Sequence, residues 1–528
     1  MVTVIKGVTY PELECCILYS RQSELLSSSV STGSHFLMTT VLSASIRNFE
    51  GAHDIVINDQ TIVDHSSHVY NVKKTRERPG LSKLLEYSMR EAFHDSSGRW
   101  PPPRCHYDSR QELRTTITNW GTGKSDTIRE ILLWMHGPFG VGKSAVAQSC
   151  AEALAAENKL RASLFFSRPN GRNNPNRVFT SIAYQLALKC PLLGDILDHE
   201  ILKNPTLLTA AHPLQFQELL VAPLRQVKPQ GIDIEGWVVI LDGLDEVDDT
   251  NAQCDLLNII AASIRDHTTP LRWFILSRLE PHIQRAMRAH GVLPLSHSLE
   301  LPLSLEDDHE ILTFFVKELH KIGEQHDLPP SWCSEADIAA LVKLAQGLWI
   351  YVSTVTRFIG DPNSLGPPTQ LRLVLSLAQK QSKPLATNPL ATMDLFYNLI
   401  MQQIPPHVSL IIRKILLLRE VCPDATNEVD QSRGTVRVVG LSKLANVLGL
   451  SEKELHNACI FLQSVLFLQQ SVVGDPMDIR FYHASFMEYM EDSTRSKDFC
   501  IYGDDCLDYL RQEIIERINE AHSHSTGM

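Results

Sequence analysis

An apolar run, Ile131-Leu132-Leu133-Trp134-Met135, leads into Gly137-Pro138-Phe139-Gly140-Val141-Gly142-Lys143-Ser144, and Ala145-Val146-Ala147 then starts a helical pattern. No other feature restricts the fold so much. Glycine at both ends of a five-residue step, followed by lysine and serine, is the spacing of a loop that wraps a polyphosphate. The glycines let backbone N–H groups turn inward without Cβ clashes. Lys143 can neutralise terminal phosphate oxygens. Ser144 can hold Mg²⁺ while opening a helix whose N-terminal dipole favours anions. Gly137 through Ser144, with Ala145 behind them, are therefore the expected phosphate-binding residues. The nearby Gly121-Thr122-Gly123-Lys124-Ser125 copies only the second half of the pattern and has no apolar strand before it, so it reads as a loop.

The acids that such a loop needs lie about a hundred residues on. Val238-Val239-Ile240-Leu241-Asp242 is a buried-strand pattern ending in a carboxylate, followed by Gly243-Leu244-Asp245-Glu246. Asp242 is expected to hold Mg²⁺ or its water shell, together with Ser144. Asp245 or Glu246 is then placed to orient and polarise an attacking water. A third strand pattern, Phe274-Ile275-Leu276-Ser277, ends in Arg278, which can reach a terminal phosphate and report its presence. All three positions fall at the C-terminal ends of strands, where α/β folds bind ligands.

The rest of the chain is read around this core. At 528 residues it is long enough for three or four domains of about 150 residues. Residues 1–78 form a poorly defined N-terminal segment with a Ser-rich tract, Ser27 to Ser34, and a hairpin pattern flanking Asn58-Asp59. Residues 79–129 form a helical linker: Leu81, Leu84, Leu85, Met89, Ala92 and Phe93 share one helical face, and Pro101-Pro102-Pro103 make a stiff connector. Residues 130–304 alternate apolar strands (around Leu133, Leu164, Ile240 and Ile275) with helices over Ser144 to Ala156, Val178 to Lys189 and Ala252 to Ile264. That pattern predicts an α/β domain with a parallel sheet flanked by helices. A helical domain is expected over 305–390. Over 391–492, helices at Val408 to Val421, Leu441 to Leu448 and Glu452 to Leu462 precede two short strands, around Leu466 to Val473 and Ile479 to His483, the order of a winged helix. A helical tail over 493–528 closes the sequence, its helix running from Cys506 to Ala521.

Composition narrows the function classes. A formal net charge of −12 argues against a broad electrostatic grip on nucleic acid. The 11 cysteines are scattered, without metal-type spacing, and read as free thiols of a reducing compartment. No apolar stretch approaches the ~18 residues that span a bilayer, and no signal peptide opens the chain, so the expected location is the cytoplasm.

The order of these pieces resembles the NACHT domain of the STAND class of P-loop NTPases, and within it the NACHT families of mushroom-forming fungi. The likeness extends over Leu133-Trp134-Met135-His136-Gly137-Pro138, Ser163 to Arg168, Ala183-Tyr184-Gln185-Leu186 and Ile240 to Glu246. It implies a nucleotide-controlled switch that binds ATP or ADP with Mg²⁺, hydrolyses slowly, and closes a helical and a winged-helix domain over ADP at rest. By the same likeness, Gly137, Gly142, Lys143 and Ser144 are Walker A contacts and Asp242 is the Walker B acid. Asp245 and Glu246 are the hydrolytic acids and Arg278 the sensor. Ser109-Arg110-Gln111-Glu112 is similar to the family's adenine-side loop, and His483 to a winged-helix histidine that touches the β-phosphate of ADP. The partner it implies beyond nucleotide is a homo-oligomer on activation. Leu279 stands where the family usually has proline, and Gly347-Leu348-Trp349 lacks the proline that packs adenine in animal and plant relatives. Relatives usually continue into long repeat arrays, whereas this sequence stops at Met528. The residues alone leave open a nucleotide-binding scaffold without hydrolysis and a conventional P-loop enzyme, and they do not separate ATP from GTP.

Overall fold

The computed structural model describes residues 56–58, 61–63, 69–70, 78–106, 109–302, 307–380, 390–421, 427–430, 435–438, 444–445, 448–469, 478–504 and 506–508. It divides into two compact units, Met1–Glu77 and Arg78–Met528. In the first, β1 (Val56–Asn58), β2 (Thr61–Val63) and β3 (Val69–Tyr70) form an antiparallel sheet, with Asn58 paired to Thr61. The Ser-rich tract lies outside the described residues.

The second unit is built on a parallel sheet of β4 (Leu132–His136), β5 (Leu160–Phe165), β6 (Val238–Asp242), β7 (Arg272–Ser277) and β8 (Ser296–Glu300), in spatial order β5-β6-β7-β4-β8. Alternate residues of each central strand enter different apolar clusters. Trp134, Leu164, Leu241 and Ile275 join one, and Leu133, Phe165, Ile240 and Phe274 the other. Both faces are buried, which is why these strands read as unbroken apolar runs. β8 escaped the sequence reading because Ser296-His297-Ser298-Leu299-Glu300 is a half-exposed edge strand with little apolar content. The helices Lys143–Ala156, Val178–Lys189 and Thr250–Arg265 lie where the sequence places them.

The helix expected from Leu81 to Phe93 is shorter, spanning Pro79–Glu86. Beyond it the Thr180 hydroxyl donates to the Tyr87 carbonyl (2.7 Å) and the Met89 N–H donates to Ser181 Oγ (2.8 Å). Side chains of a neighbouring helix satisfy the backbone groups that would otherwise have continued the helix. Gly123 ends the Gln111–Thr122 helix in a left-handed conformation (φ 75°), so the half-motif there is a helix cap.

After β8 come helices Asp307–Gln325, Glu335–Ala345, Trp349–Ile359, Pro367–Lys380, Leu390–Gln402 and Pro406–Val421. An antiparallel pair, β9 (Asn427–Asp430) and β10 (Thr435–Val438), follows. The helix expected over Leu441 to Leu448 and the helical tail lie largely outside the described residues. Helix Glu452–Ile460 then leads into the antiparallel ribbon β11 (Leu466–Gln469) and β12 (Asp478–Phe481), and the unit is a P-loop core followed by helical and winged-helix regions. One apolar cluster runs without a break from Ile311 and Phe315 through Phe396 and Leu417 to Phe486, Met490 and Cys506, so both C-terminal regions share a core. Among the described residues no helix is long and apolar enough to cross a membrane.

The winged-helix ribbon is fastened to the β5 side of the sheet. The Asn170 side chain donates to the Phe481 carbonyl (3.0 Å) and accepts from the Phe481 N–H (2.9 Å), as a neighbouring strand would. Arg480 donates to the Asn170 carbonyl (3.1 Å) and Arg419 to that of Pro169 (3.0 Å).

Candidate functional site

The loop after β4 owes its shape to its glycines. Gly140 and Gly142 have φ of 73° and 90°, which glycine adopts freely. A Cβ on Gly140 would lie 2.5 Å from the Ile350 side chain, and one on Gly137 only 2.2 Å from the Leu301 carbonyl oxygen. The Ile350 N–H donates to the Gly140 carbonyl (3.2 Å), which ties the loop to the helical region. Lys143 Nζ folds back over the loop and donates to the carbonyls of Gly137 and Pro138, both at 2.8 Å. Burial lowers its pKa to about 8 against the attraction of Asp245.

Across the loop, Asp242 ends β6 buried, and its carboxyl is hydrogen-bonded to the Ser144 hydroxyl. Burial raises its pKa to about 6, opposed by the Ser144 hydrogen bond, Arg99 and Lys143. Glu246 rises to about 7, through burial and then the neighbouring Asp245. Its Oε2 accepts the Arg168 N–H (3.1 Å). Asp245 accepts the Arg278 backbone N–H (2.9 Å) and pairs with Arg278 Nε (3.2 Å). Arg278 Nη2 reaches Glu488 of the winged-helix region at 2.6 Å. Burial acts to lower the Arg278 pKa, but Glu488 and Asp245 outweigh it and hold the guanidinium charged.

The winged-helix wall meets the loop at Phe139. Its ring lies 4.8 Å from the His483 ring, edge to face, and 5.0 Å from the Arg278 guanidinium. The Ser485 N–H donates to His483 Nδ1 (3.1 Å), which leaves the ring proton on Nε2. Burial, then Arg278 and Lys143, lower the His483 pKa to about 3, so it is a neutral donor at any physiological pH. On the other side Phe314 and Trp349 meet edge to face at 5.8 Å, and the Arg110 N–H donates to Glu310 Oε1 (2.8 Å).

These groups enclose a cavity of about 550 Å³, of a size that suits a nucleotide. Phe139, Gly140, Gly142, Lys143, Ser144, Ala145, Asp242, Asp245, Glu246, Arg278, Arg110 and His483 all line it. Gly137, Pro138 and Val141 do not: the first two face Lys143 and Leu301, and Val141 is buried in the core beneath the loop. The sequence reading missed part of the wall. Pro101, Pro102 and Pro103, read there as a connector, line the cavity, as do Arg99, Arg172, Arg357 and Arg480. Eight arginine and lysine side chains face it against three carboxylates, in a chain of net charge −12. The cavity therefore suits a polyanion.

The residues present fit Mg²⁺. Ser144 and Asp242 bring a hydroxyl and a carboxylate together at the cavity wall, and no group of three or more His, Cys, Asp or Glu among the described residues forms a self-sufficient metal cage. Mg²⁺ is held in this way, by one or two protein oxygens with phosphates and water supplying the rest. A pH dependence follows. Asp242 and Glu246 have folded pKa values above their usual ones, so the folded state binds extra protons between about pH 4 and 7. The contribution of these two carboxyls to ligand-free stability is then expected to fall as pH rises through that window, against His483, whose lowered pKa acts in the opposite sense and is removed from the comparison in a His483→Gln background. Mg-nucleotide affinity is expected to move the other way, weakening below pH 6 as Asp242 protonates. Melting curves with and without Mg-ADP from pH 5 to 8 check both signs. An Mg-ADP shift that is the same at pH 5 and pH 8 counts against Asp242 as the metal-side acid.

A family model described as Nephrocystin 3, N-terminal matches residues 113–278, from the helix before β4 through the loop and the acidic strand to Arg278. No protein of curated function matches the chain. Among solved structures, Cdc6p of Pyrobaculum aerophilum is similar at 13% identity, over 80% of this chain and all of that one, with a TM-score of 0.31. The Orc1 protein of Aeropyrum pernix, in complex with DNA, is similar at 11% identity over 76% and 92%, with a TM-score of 0.28. PCH-2 of C. elegans gives 11% identity over 54% and 72%, with a TM-score of 0.32. Likeness this loose carries no argument about ligand or partner. The loop, its flanking strand and helix, and the acidic strand beside them in a parallel sheet make this chain a P-loop NTPase by fold.

Proposed function

We propose that the chain is a nucleotide-controlled signalling switch of the STAND class, akin to fungal NACHT proteins. In this reading it binds ADP and ATP with Mg²⁺ in the cytoplasm, hydrolyses slowly and forms a homo-oligomer when activated. The observation that carries the reading is Arg278. One guanidinium pairs with Asp245 on the phosphate side and with Glu488 in the winged-helix region. A terminal phosphate is a competitor for that guanidinium, since arginine binds phosphate and carboxylate through the same hydrogen-bond fork. Arrival of a γ-phosphate then weakens the grip on Glu488, and its loss restores it.

The other groups fall into place around this exchange. Lys143 leaves its two loop carbonyls for the phosphates, and the loop amides hold the β-phosphate. His483 offers Nε2–H to the same phosphate from the winged-helix side. Phe314 and Trp349 give the base aromatic walls beside Arg110. Ser144 and Asp242 would hold Mg²⁺, which when bound would supply positive charge against the phosphates. Asp245 is committed to Arg278, so Glu246 is the acid left to orient water. Moving a two-state protein from 1:99 to 99:1 takes about 5.5 kcal/mol of differential affinity. A γ-phosphate that draws Arg278 from Glu488 while gaining Lys143 and Mg²⁺ can supply energy of that order.

The test is the nucleotide released on denaturing purified protein, with the mass in solution under ADP and under a non-hydrolysable ATP analogue. ADP is expected to copurify, the ADP form to be compact, and the analogue to produce a larger species. Unactivated turnover of several per second would sink the switch in favour of an ordinary P-loop enzyme.

A further inference from the structure

Two arginines on the cavity wall have no part in the scheme above. Arg99 is 7% exposed, with its guanidinium 3.5 Å above the Phe165 ring at the end of β5. It donates to Gln148 Oε1 (2.5 Å) and to the His94 carbonyl (3.2 Å). Arg172 is 9% exposed and donates to the carbonyls of Gly98 (3.1 Å) and Glu91 (3.4 Å), while its buried Nε has no partner. Its backbone is pinned by a two-way bridge with Ser167, both hydrogen bonds at 3.0 Å, across a turn closed by Gly171 at φ 66°.

The neutral oxygens around these arginines satisfy donors but leave the charges unanswered. Among the described residues neither guanidinium has a carboxylate within ion-pair distance. Glu91, Glu152, Asp242 and Glu246 act on them only from farther away, and the two arginines repel each other. Burying a charge without a counter-ion is costly, and burying two alike side by side is more so. What the two share is the cavity they line beside Asp242. In the sheet, β5 lies on the opposite side of β6 from the strand that carries the phosphate loop.

We propose that Arg99 and Arg172 form a second anion subsite, across Asp242 from Lys143, that takes a tetrahedral phosphate oxyanion. The inference rests on the nucleotide-switch reading for its setting, but not for its chemistry. Two sources supply such a group: the terminal phosphate of a bound triphosphate, or free orthophosphate retained after hydrolysis. In the second case the subsite makes phosphate departure a separate step between the ATP and ADP states.

Titration calorimetry on the full chain separates the two. One arm compares Mg-ADP with a non-hydrolysable Mg-ATP analogue, and the other adds orthophosphate to protein saturated with Mg-ADP. Arg172→Gln is expected to lower affinity in one arm by at least about tenfold, the size of a lost charge-assisted hydrogen bond, while Mg-ADP affinity holds within about twofold. Loss in the analogue arm alone identifies the terminal phosphate, and loss in the orthophosphate arm alone identifies the free ion. Unchanged binding in both arms overturns the subsite, as does orthophosphate binding that is weak and equal in wild type and variant, an adventitious ion only. Arg99→Lys, which keeps the charge but loses the fork, serves if Arg172→Gln does not fold. If wild-type protein fails to bind Mg-ADP, it is the switch reading that falls. Orthophosphate titrated into a Lys143→Ala background then still tests the arginine pair.

Discussion

Lys143→Ala is expected to weaken Mg-ADP binding by at least about a hundredfold, because a partly buried ammonium that makes two charge-assisted hydrogen bonds to phosphate contributes roughly 3 kcal/mol or more. The ammonium is already partly buried and already held at the loop by the carbonyls of Gly137 and Pro138. Little ordering remains to be done when phosphate arrives. The variant exchanges two internal hydrogen bonds for solvated carbonyls, so its melting temperature without ligand should stay close to wild type. The loss should then appear only in calorimetry with nucleotide. Affinity within about threefold of wild type, in protein that melts normally, would remove the phosphate loop from the account.

Glu488→Gln carries the second large effect. It keeps the shape of the side chain and removes its charge, so Arg278 retains Asp245 but loses its ionic hold on the winged-helix region. The pair is largely buried, and a coupling of about 1–3 kcal/mol shifts the closed-to-open ratio by roughly 5- to 150-fold. The expected result is a larger hydrodynamic radius and faster hydrogen exchange in the β11–β12 ribbon with ADP still bound. A double-mutant cycle with Arg278→Met should return most of the coupling, since each single change breaks the same contact. A variant indistinguishable from wild type in mass and exchange would place the closing force elsewhere, with the Asn170–Phe481 and Arg480 contacts the next to test.

The sequence made the centre of the site readable and its periphery opaque, for a physical reason. Gly137 to Ser144 and Asp242 to Glu246 are short segments whose spacing encodes their geometry, because a tight loop and a strand end each place a few consecutive residues at one spot. Arg99, Arg172 and Arg480 reach the same cavity from three separate places in the chain, through packing that no local pattern announces. The proline triplet is a connector, as its stiffness suggests, and its second role as cavity wall stays hidden because stiffness suits both alike. His483 could be singled out by family likeness, but its tautomer is fixed by the Ser485 N–H at its Nδ1, a contact that spacing alone does not reveal. The shortened helix after Glu86 belongs to the same class, its end being decided by Thr180 and Ser181, some ninety residues away.

The apolar cluster running from Ile311 to Cys506 without a break makes the two C-terminal regions one hydrophobic body. Any motion that peels the winged-helix region from the helical one bares side chains such as Phe396, which packs on Tyr351 and Phe358, at about 25 cal/mol for each Å² exposed. An opened molecule is thus adhesive by construction, and a neighbouring copy is the nearest available cover. Under the proposed switch, protein concentration would join nucleotide as a control variable, and the threshold for activation would sharpen as more of the chain is present.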